Sequence, residues 1–141
     1  MKTLKSILFG AALLVATTVA NAKPNDANFL SKNDVVSVFT NAMVHGNLHN
    51  LDQALAKNVE YTMYRGSNTF KLNKQALLDS FKASENIEQS CQYTSSVVSE
   101  VDNTMVFKLE MKYEGYVRTN TITVKQQGQD WKITSIETRN S

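Results

Sequence analysis

Hydrophobic positions in this chain recur first at helical and later at strand spacing, and the change falls near Ile87. Val35, Val36, Val38, Phe39, Ala42 and Met43 form one stripe at helical spacing. Ser31, with Asp34 three residues on, reads as a capping box before that helix, and Gly46 sits where a carboxy-terminal cap belongs. A second, shorter helix is expected over Leu48 to Ala56, with Leu51, Ala54 and Leu55 facing inward. Val59 to Arg65 alternates and is rich in aromatics, which predicts a strand. Gly66-Ser67-Asn68 would turn it into a short return strand over Thr69 to Leu72. Asn73 is placed to cap a third helix whose buried stripe is Ala76, Leu77, Leu78 and Phe81. Beyond Ile87 four strand-like segments follow, 87–101, 104–113, 116–126 and 131–139. Turn signals separate them at Asp102-Asn103, Glu114-Gly115 and around Gly128. Long hairpin-linked strands imply a strongly bent antiparallel sheet, and helices on one of its faces make the class α+β.

The amino terminus follows a different pattern. Lys2 and Lys5 precede an uncharged apolar stretch from Ile7 to Ala20, and Ala20-Asn21-Ala22 offers the small residues a signal peptidase reads. The stretch is shorter than the roughly 20 residues that span a bilayer core. The expectation is a signal peptide over residues 1–22, cleaved after Ala22. A flexible leader over 23–30 and one domain over 31–141 follow. The mature protein is then periplasmic or secreted, with no membrane anchor after cleavage.

Cleavage changes the charge balance. The full chain carries 15 basic and 13 acidic residues; Lys2 and Lys5 leave with the signal, so the mature chain is formally neutral. Neutrality argues against nucleic acid, whose binding leaves a basic patch, and no polybasic segment is present for anionic lipid. Cys91 is the single cysteine, so no disulfide can form within the chain and stability must come from packing.

The element order, with three stretches of wording, resembles the nuclear transport factor 2-like (NTF2-like) superfamily, of SnoaL-like or lumazine-binding type. Those stretches are Leu51 to Gly66 (LDQALAKNVEYTMYRG), Asn73 to Phe81, and Gly128 to Thr138 (GQDWKITSIET). The resemblance implies a cone-shaped fold with three helices packed on a strongly bent, mostly antiparallel sheet. It also implies a cavity, and association of two copies through the outer face of the sheet. The isomerases of this superfamily carry a carboxylate base on the first strand. Aligning Leu51 and Gly66 with their counterparts puts that position at about Met63, which cannot take up a proton at neutral pH. Glu60 falls on the opposite face from Tyr61 and Met63 by alternation, and a slip of one residue would offer only Thr62 or Tyr64.

Other chemistry is thinly represented. His45 and His49 are four apart, but Gly46 and Asn47 interrupt the helix that a two-histidine metal site needs, and no third ligand is evident. The expectation is no metal and no cofactor, with His45 helping to satisfy the last carbonyls of its helix. Cys91, on the alternation face of Tyr93, has neither a base nor an electropositive setting nearby in sequence and reads as a small buried hydrophobe. No GxSxG elbow or Gly-rich phosphate loop occurs.

One face of the third long segment is more informative. Tyr116, Arg118, Asn120, Ile122 and Val124 share it. With Ile122 and Val124 toward the helices, Arg118 and Asn120 lie toward the open end. Arg118 offers a planar donor fork suited to a carboxylate. Phe39, Met43, Tyr61 and Met63 would supply an apolar wall, although all four also suit an ordinary core. Three roles for Arg118 follow: an ion pair at the rim with Glu137 or Glu114, a contact to a small, largely apolar ligand, or a part in catalysis. An enzyme of SnoaL-like type would have to move protons through Glu137 or Tyr61. The opposite face carries Val117, Thr119, Thr121 and Thr123, a row without charge that suits a homodimer. Met105, Phe107, Leu109, Met111 and Tyr113 share a face of the preceding segment, and the pattern leaves open which face meets the core.

Overall fold

The structure, a computed structural model, describes residues 29–141. The expected signal peptide, its cleavage site and most of the leader lie outside the described residues. Leu30, at the leader's end, is buried; its N–H donates to Asp130 Oδ1 and its carbonyl accepts from the Trp131 N–H.

Helix α1 (Lys32–His45) begins with the expected capping box. Ser31 Oγ accepts from the Asp34 N–H and Asp34 Oδ2 accepts from the Ser31 N–H, so two otherwise orphaned donors are satisfied. Gly46 closes the helix in the left-handed region, with φ of 67°. A one-turn helix, α2 (Leu51–Ala54), leads directly into strand β1 (Leu55–Arg65), which turns back as β2 (Asn68–Leu72). Asn73 Oδ1 accepts from the Ala76 N–H and starts α3 (Lys74–Lys82). Four strands complete the chain: β3 (Gln92–Val101), β4 (Thr104–Tyr113), β5 (Tyr116–Gln127) and β6 (Asp130–Asn140). The sheet order is β2-β1-β6-β5-β4-β3, antiparallel throughout except where β1 runs parallel to β6. Among the described residues, three helices on one six-stranded, mostly antiparallel sheet make the α+β layout that the periodicity predicts. Among the described residues no helix is long and apolar enough to cross a membrane.

Two boundaries differ from the sequence pattern. The second helix is not Leu48 to Ala56 but a single turn, and β1 starts four residues before Val59. The apolar run Leu51, Ala54, Leu55, Ala56 is buried in either conformation, so spacing alone cannot separate helix from strand there. The tertiary structure decides it. Lys132 Nζ donates to the Gln53 carbonyl, Lys74 Nζ donates to those of Asp52 and Leu55, and Leu55 pairs with Ile133. The second difference is β3, which begins at Gln92 rather than at residue 87. Residues 83–91 are a loop held on the end of α1: the Asn86 N–H donates to the Gly46 carbonyl and the Gln89 N–H to that of Val44.

The core lies between α1 and the inner face of the sheet. Met105, Phe107, Leu109 and Met111 of β4 point there, opposite Val124, Ile122, Asn120 and Arg118 of β5. α1 packs on β4, β5 and β6, whereas α3 packs on β1 and β2. Phe39, fully buried, meets Phe81 and Phe107 edge-on at centroid distances of 6.2 and 6.1 Å.

Gly46 carries two constraints at once. Its φ is left-handed, and a Cβ there would lie 2.7 Å from Asn86 N, Ile87 N and Ser84 O, all backbone atoms of the loop. Gly46→Ala is therefore expected to cost about 2–4 kcal/mol, combining left-handed strain with overpacking. Urea unfolding measures it, and a loss below about 1 kcal/mol would show that the loop yields instead.

Candidate functional site

The two larger helices rest on different strands, and the space where they part is a cavity of about 160 Å³. Its wall comes from Ala42 and Met43 of α1, Leu77, Ser80 and Phe81 of α3, and Tyr61 and Met63 of β1. Ser84 and Gln89 of the 83–91 loop and Arg118 of β5 close the rest. Tyr61 and Met63 reach it because they pair with Ile136 and Thr138 on the inner face of β6.

Four of the seven expected ligand contacts meet here: Met43, Tyr61, Met63 and Arg118. The other three lie elsewhere. Phe39 has no exposed surface and belongs to the aromatic core just described. Asn120 is also fully buried and has no free capacity for a ligand. Its Nδ2 donates to the Leu109 carbonyl at 3.2 Å and contacts Met111 Sδ, and its Oδ1 accepts from Thr138 Oγ1 at 2.7 Å. A buried polar side chain must be satisfied within the protein, and this pair of strands supplies the partners. Tyr116 is exposed at the sheet's end, stacked on Tyr113 with centroids 4.7 Å apart. The wall also includes Leu77, Ser80, Phe81, Ser84 and Gln89, which the sequence reading did not place there. Leu77 and Phe81 were visible as a helical stripe, but nothing local indicates that Ser80, Ser84 and Gln89 meet β1 and β5.

Arg118 has no ion pair among the described residues. Glu137 pairs with Thr121 on the outer face, away from the cavity, so neither a rim ion pair nor proton transfer inside the cavity is open to it. Arg118 Nε donates to Asn140 Oδ1 at 3.2 Å, and the guanidinium carbon lies 5.9 Å from the Tyr113 ring centroid. Glu60 likewise points outward, paired with Ser135, and so do Thr62 and Tyr64, the residues that a one-step slip would offer. Among the described residues no carboxylate lines the cavity.

The histidines are separated as the spacing implies, one ending α1 and the other in the loop after it. His45, however, does not turn back to its helix carbonyls. Its Nδ1 is 2.7 Å from Glu88 Oε1 and its ring meets Tyr93 edge-on, which ties α1 to the loop and to β3. Cys91 lies just before β3, half-buried against the core. Burial pushes its thiol up from the ordinary value of 9.0, opposed by a hydrogen bond with Tyr113; Glu88 adds to the rise and Arg118 opposes it. Tyr113, whose hydroxyl donates to Gln89 Oε1 at 2.7 Å, is also raised, chiefly by burial.

The fold has known counterparts. A protein from Silicibacter pomeroyi, described as NTF-2 like and of unknown function, superposes with a TM-score of 0.65 at 16% identity, covering 77% of this chain and 92% of its own. The chain has the NTF2-like fold. An NTF2-like protein of unknown function from Shewanella baltica matches with a TM-score of 0.60 at 12% identity, over 77% of this chain and 89% of that one. Another from Rhodospirillum rubrum, described as of unknown function in nutrient uptake, gives 0.58 at 18%, over 78% and 98%. No family model and no curated protein matches the sequence. At these identities the likeness is one of fold, and an NTF2-like fold does not by itself assign a function.

Two expectations follow. Asn120→Ala leaves Thr138 Oγ1 buried without its acceptor and should cost about 2–3 kcal/mol, while Asn120→Val with Thr138→Val recovers part of that loss. Chemical denaturation of the three variants measures both effects. The second concerns alkaline stability. Cys91 and Tyr113 are raised in the folded state, so the folded protein holds their protons more tightly. Their stabilisation is complete below the ordinary values of 9.0 and 10.0 and is lost as pH rises through the folded values. The denaturation midpoint of the wild type should therefore fall above about pH 9, and Cys91→Ala with Tyr113→Phe should flatten that decline.

Proposed function

We propose that this protein is an exported NTF2-like domain that binds a small, largely apolar molecule in the cavity between α1 and α3, without turning it over. The observation that carries the reading is the composition of the wall. Its lining is mixed: Met43, Tyr61, Met63, Leu77 and Phe81 give apolar side chains, Ser80, Ser84 and Gln89 give polar ones, and Arg118 supplies one cation without an ion pair. A hollow that combines apolar side chains with a few convergent polar groups is the usual form of a small-molecule site. By the resemblance, the position corresponding to an isomerase base is at about Met63, and among the described residues no carboxylate lines the cavity, so general acid–base work has no evident agent there. A SnoaL-like enzyme would have to rely on Tyr61 alone.

Export rests on the amino-terminal pattern of the sequence. Association of two copies is a second reading, favoured by the row Val117, Thr119, Thr121 and Thr123. It is half-buried, uncharged and on the sheet face away from the helices.

Native mass spectrometry of the full chain expressed in an exporting host tests all three elements. The expected spectrum shows loss of residues 1–22 and a retained small molecule. Leu77→Trp, which fills the cavity, should release that molecule. A clean unliganded mass, with no thermal stabilisation by any member of a library of small apolar compounds, would sink the binding reading. A monomer at high concentration would remove the dimer.

A further inference from the structure

We infer that the ligand is a carboxylic acid whose apolar part is no larger than about one six-membered ring, with its carboxylate on Arg118. The inference rests on the binding reading above and adds the ligand's class. Size comes first. The cavity holds about 160 Å³, close to the roughly 150 Å³ that encloses one benzene in an apolar protein hollow. It is well below the roughly 300 Å³ at which sites for drug-sized molecules begin. A phenyl group or a chain of five or six carbons fills that volume, whereas a steroid or a fused heterocycle would extend out of it. Tyr61, Phe81, Met43 and Met63 suit either, since thioether sulfur and aromatic edges both make favourable contacts with a ring.

Charge comes next. Arg118 is the one charged side chain in the wall. Its Nε is taken by Asn140 Oδ1 and its carbon lies within cation–π distance of Tyr113, itself stacked on Tyr116. The guanidinium is therefore held in place, and its two terminal nitrogens have no hydrogen-bond partner among the described residues. Arg118 lines the hollow, and a fork anchored through Nε leaves two donors that match the two oxygens of a carboxylate. The acid nearest in the loop, Glu88, is engaged with His45. No protein carboxylate thus occupies the position that a ligand's would take.

Phosphate and sulfate esters can also take two donors of the fork. Their bulkier tetrahedral heads would leave less of the hollow for an apolar part, so they serve as a comparison in the test. The probes are benzoate, benzyl alcohol and phenyl phosphate, titrated at neutral pH into the full-length protein carrying isotope-labelled methionine methyl groups. Met43 and Met63 report from the cavity wall. Met105, fully buried beside Val124 in the core, is the internal reference. The expected result is that benzoate shifts Met43 and Met63 and leaves Met105 still. It should bind at least about tenfold more tightly than benzyl alcohol, as a charge-assisted pair warrants, and more tightly than phenyl phosphate. Arg118→Gln should abolish the advantage over benzyl alcohol, and added salt should reduce it.

Equal affinities for benzoate and benzyl alcohol would overturn the acid inference and leave the cavity reading standing. So would benzoate binding that Arg118→Gln does not change. Preference for phenyl phosphate would replace the carboxylate with a phosphate ester. If no probe moves Met43 or Met63, both the inference and the reading beneath it fail. The comparison of probes on the wild type needs no variant to fold.

Discussion

Phe39 sits at the point where three elements have to agree. Its ring has no exposed surface and stands edge-on to Phe81 of α3 and to Phe107 of β4, at interplanar angles of 80° and 76°. Edge-to-face contacts of this kind add to the burial of the rings themselves, and one ring packed on two others ties the helix that carries it to a second helix and to the sheet. α1 is thereby fixed across β4, β5 and β6, and the last turn of α3 is drawn toward it while the rest of α3 lies over β1 and β2. The cavity is what remains between two helices joined at one ring. Phe39 shapes the hollow without lining it.

Along the inner face of the sheet, chemistry changes from one end to the other. Met105, Phe107, Val124, Ile122, Ile133 and Ile136 are sealed and apolar. Asn120 and Thr138 follow, buried but saturated by each other and by the Leu109 carbonyl. Beyond them come Arg118 and Asn140 at the open end. A polar group that the protein already satisfies serves structure, because releasing it would leave a buried donor or acceptor unpaired. A charge that is held but unpaired is available to something else. Saturation thus separates Asn120 from Arg118, although the two are neighbours on one strand and face.

Strand alternation also settles where the acids go. Glu60 of β1 and Glu137 of β6 pair with residues of the outer face, while the inner face of β1 carries Tyr61 and Met63. Among the described residues the cavity wall therefore holds no carboxylate. Likeness to solved structures at 16% and 12% identity is one of fold, and the lining has to be read from this chain's own residues.

Much of the architecture was legible because it rests on local rules. The capping box at Ser31, the left-handed Gly46, the Asn73 cap, the hairpin turns and the parity that puts Ile122 and Val124 inside are each set by a few adjacent residues. Parity likewise put Met63 and Tyr61 together and turned Glu60 away. Elements whose hydrogen bonds come from distant residues were not legible. Leu55 became strand because it pairs with Ile133 and its carbonyl accepts from Lys74. Residues 87–91 became loop because Gly46 and Val44 accept the N–H groups of Asn86 and Gln89. The site divides in the same way. Sequence placed Arg118 on the inner face, but only packing could show that Asn140 and Tyr113 hold it, that Glu137 cannot reach it, and that Ser80, Ser84 and Gln89 stand around the same hollow. Periodicity says which way a side chain points along its own strand or helix; what it meets there depends on how elements far apart in sequence pack.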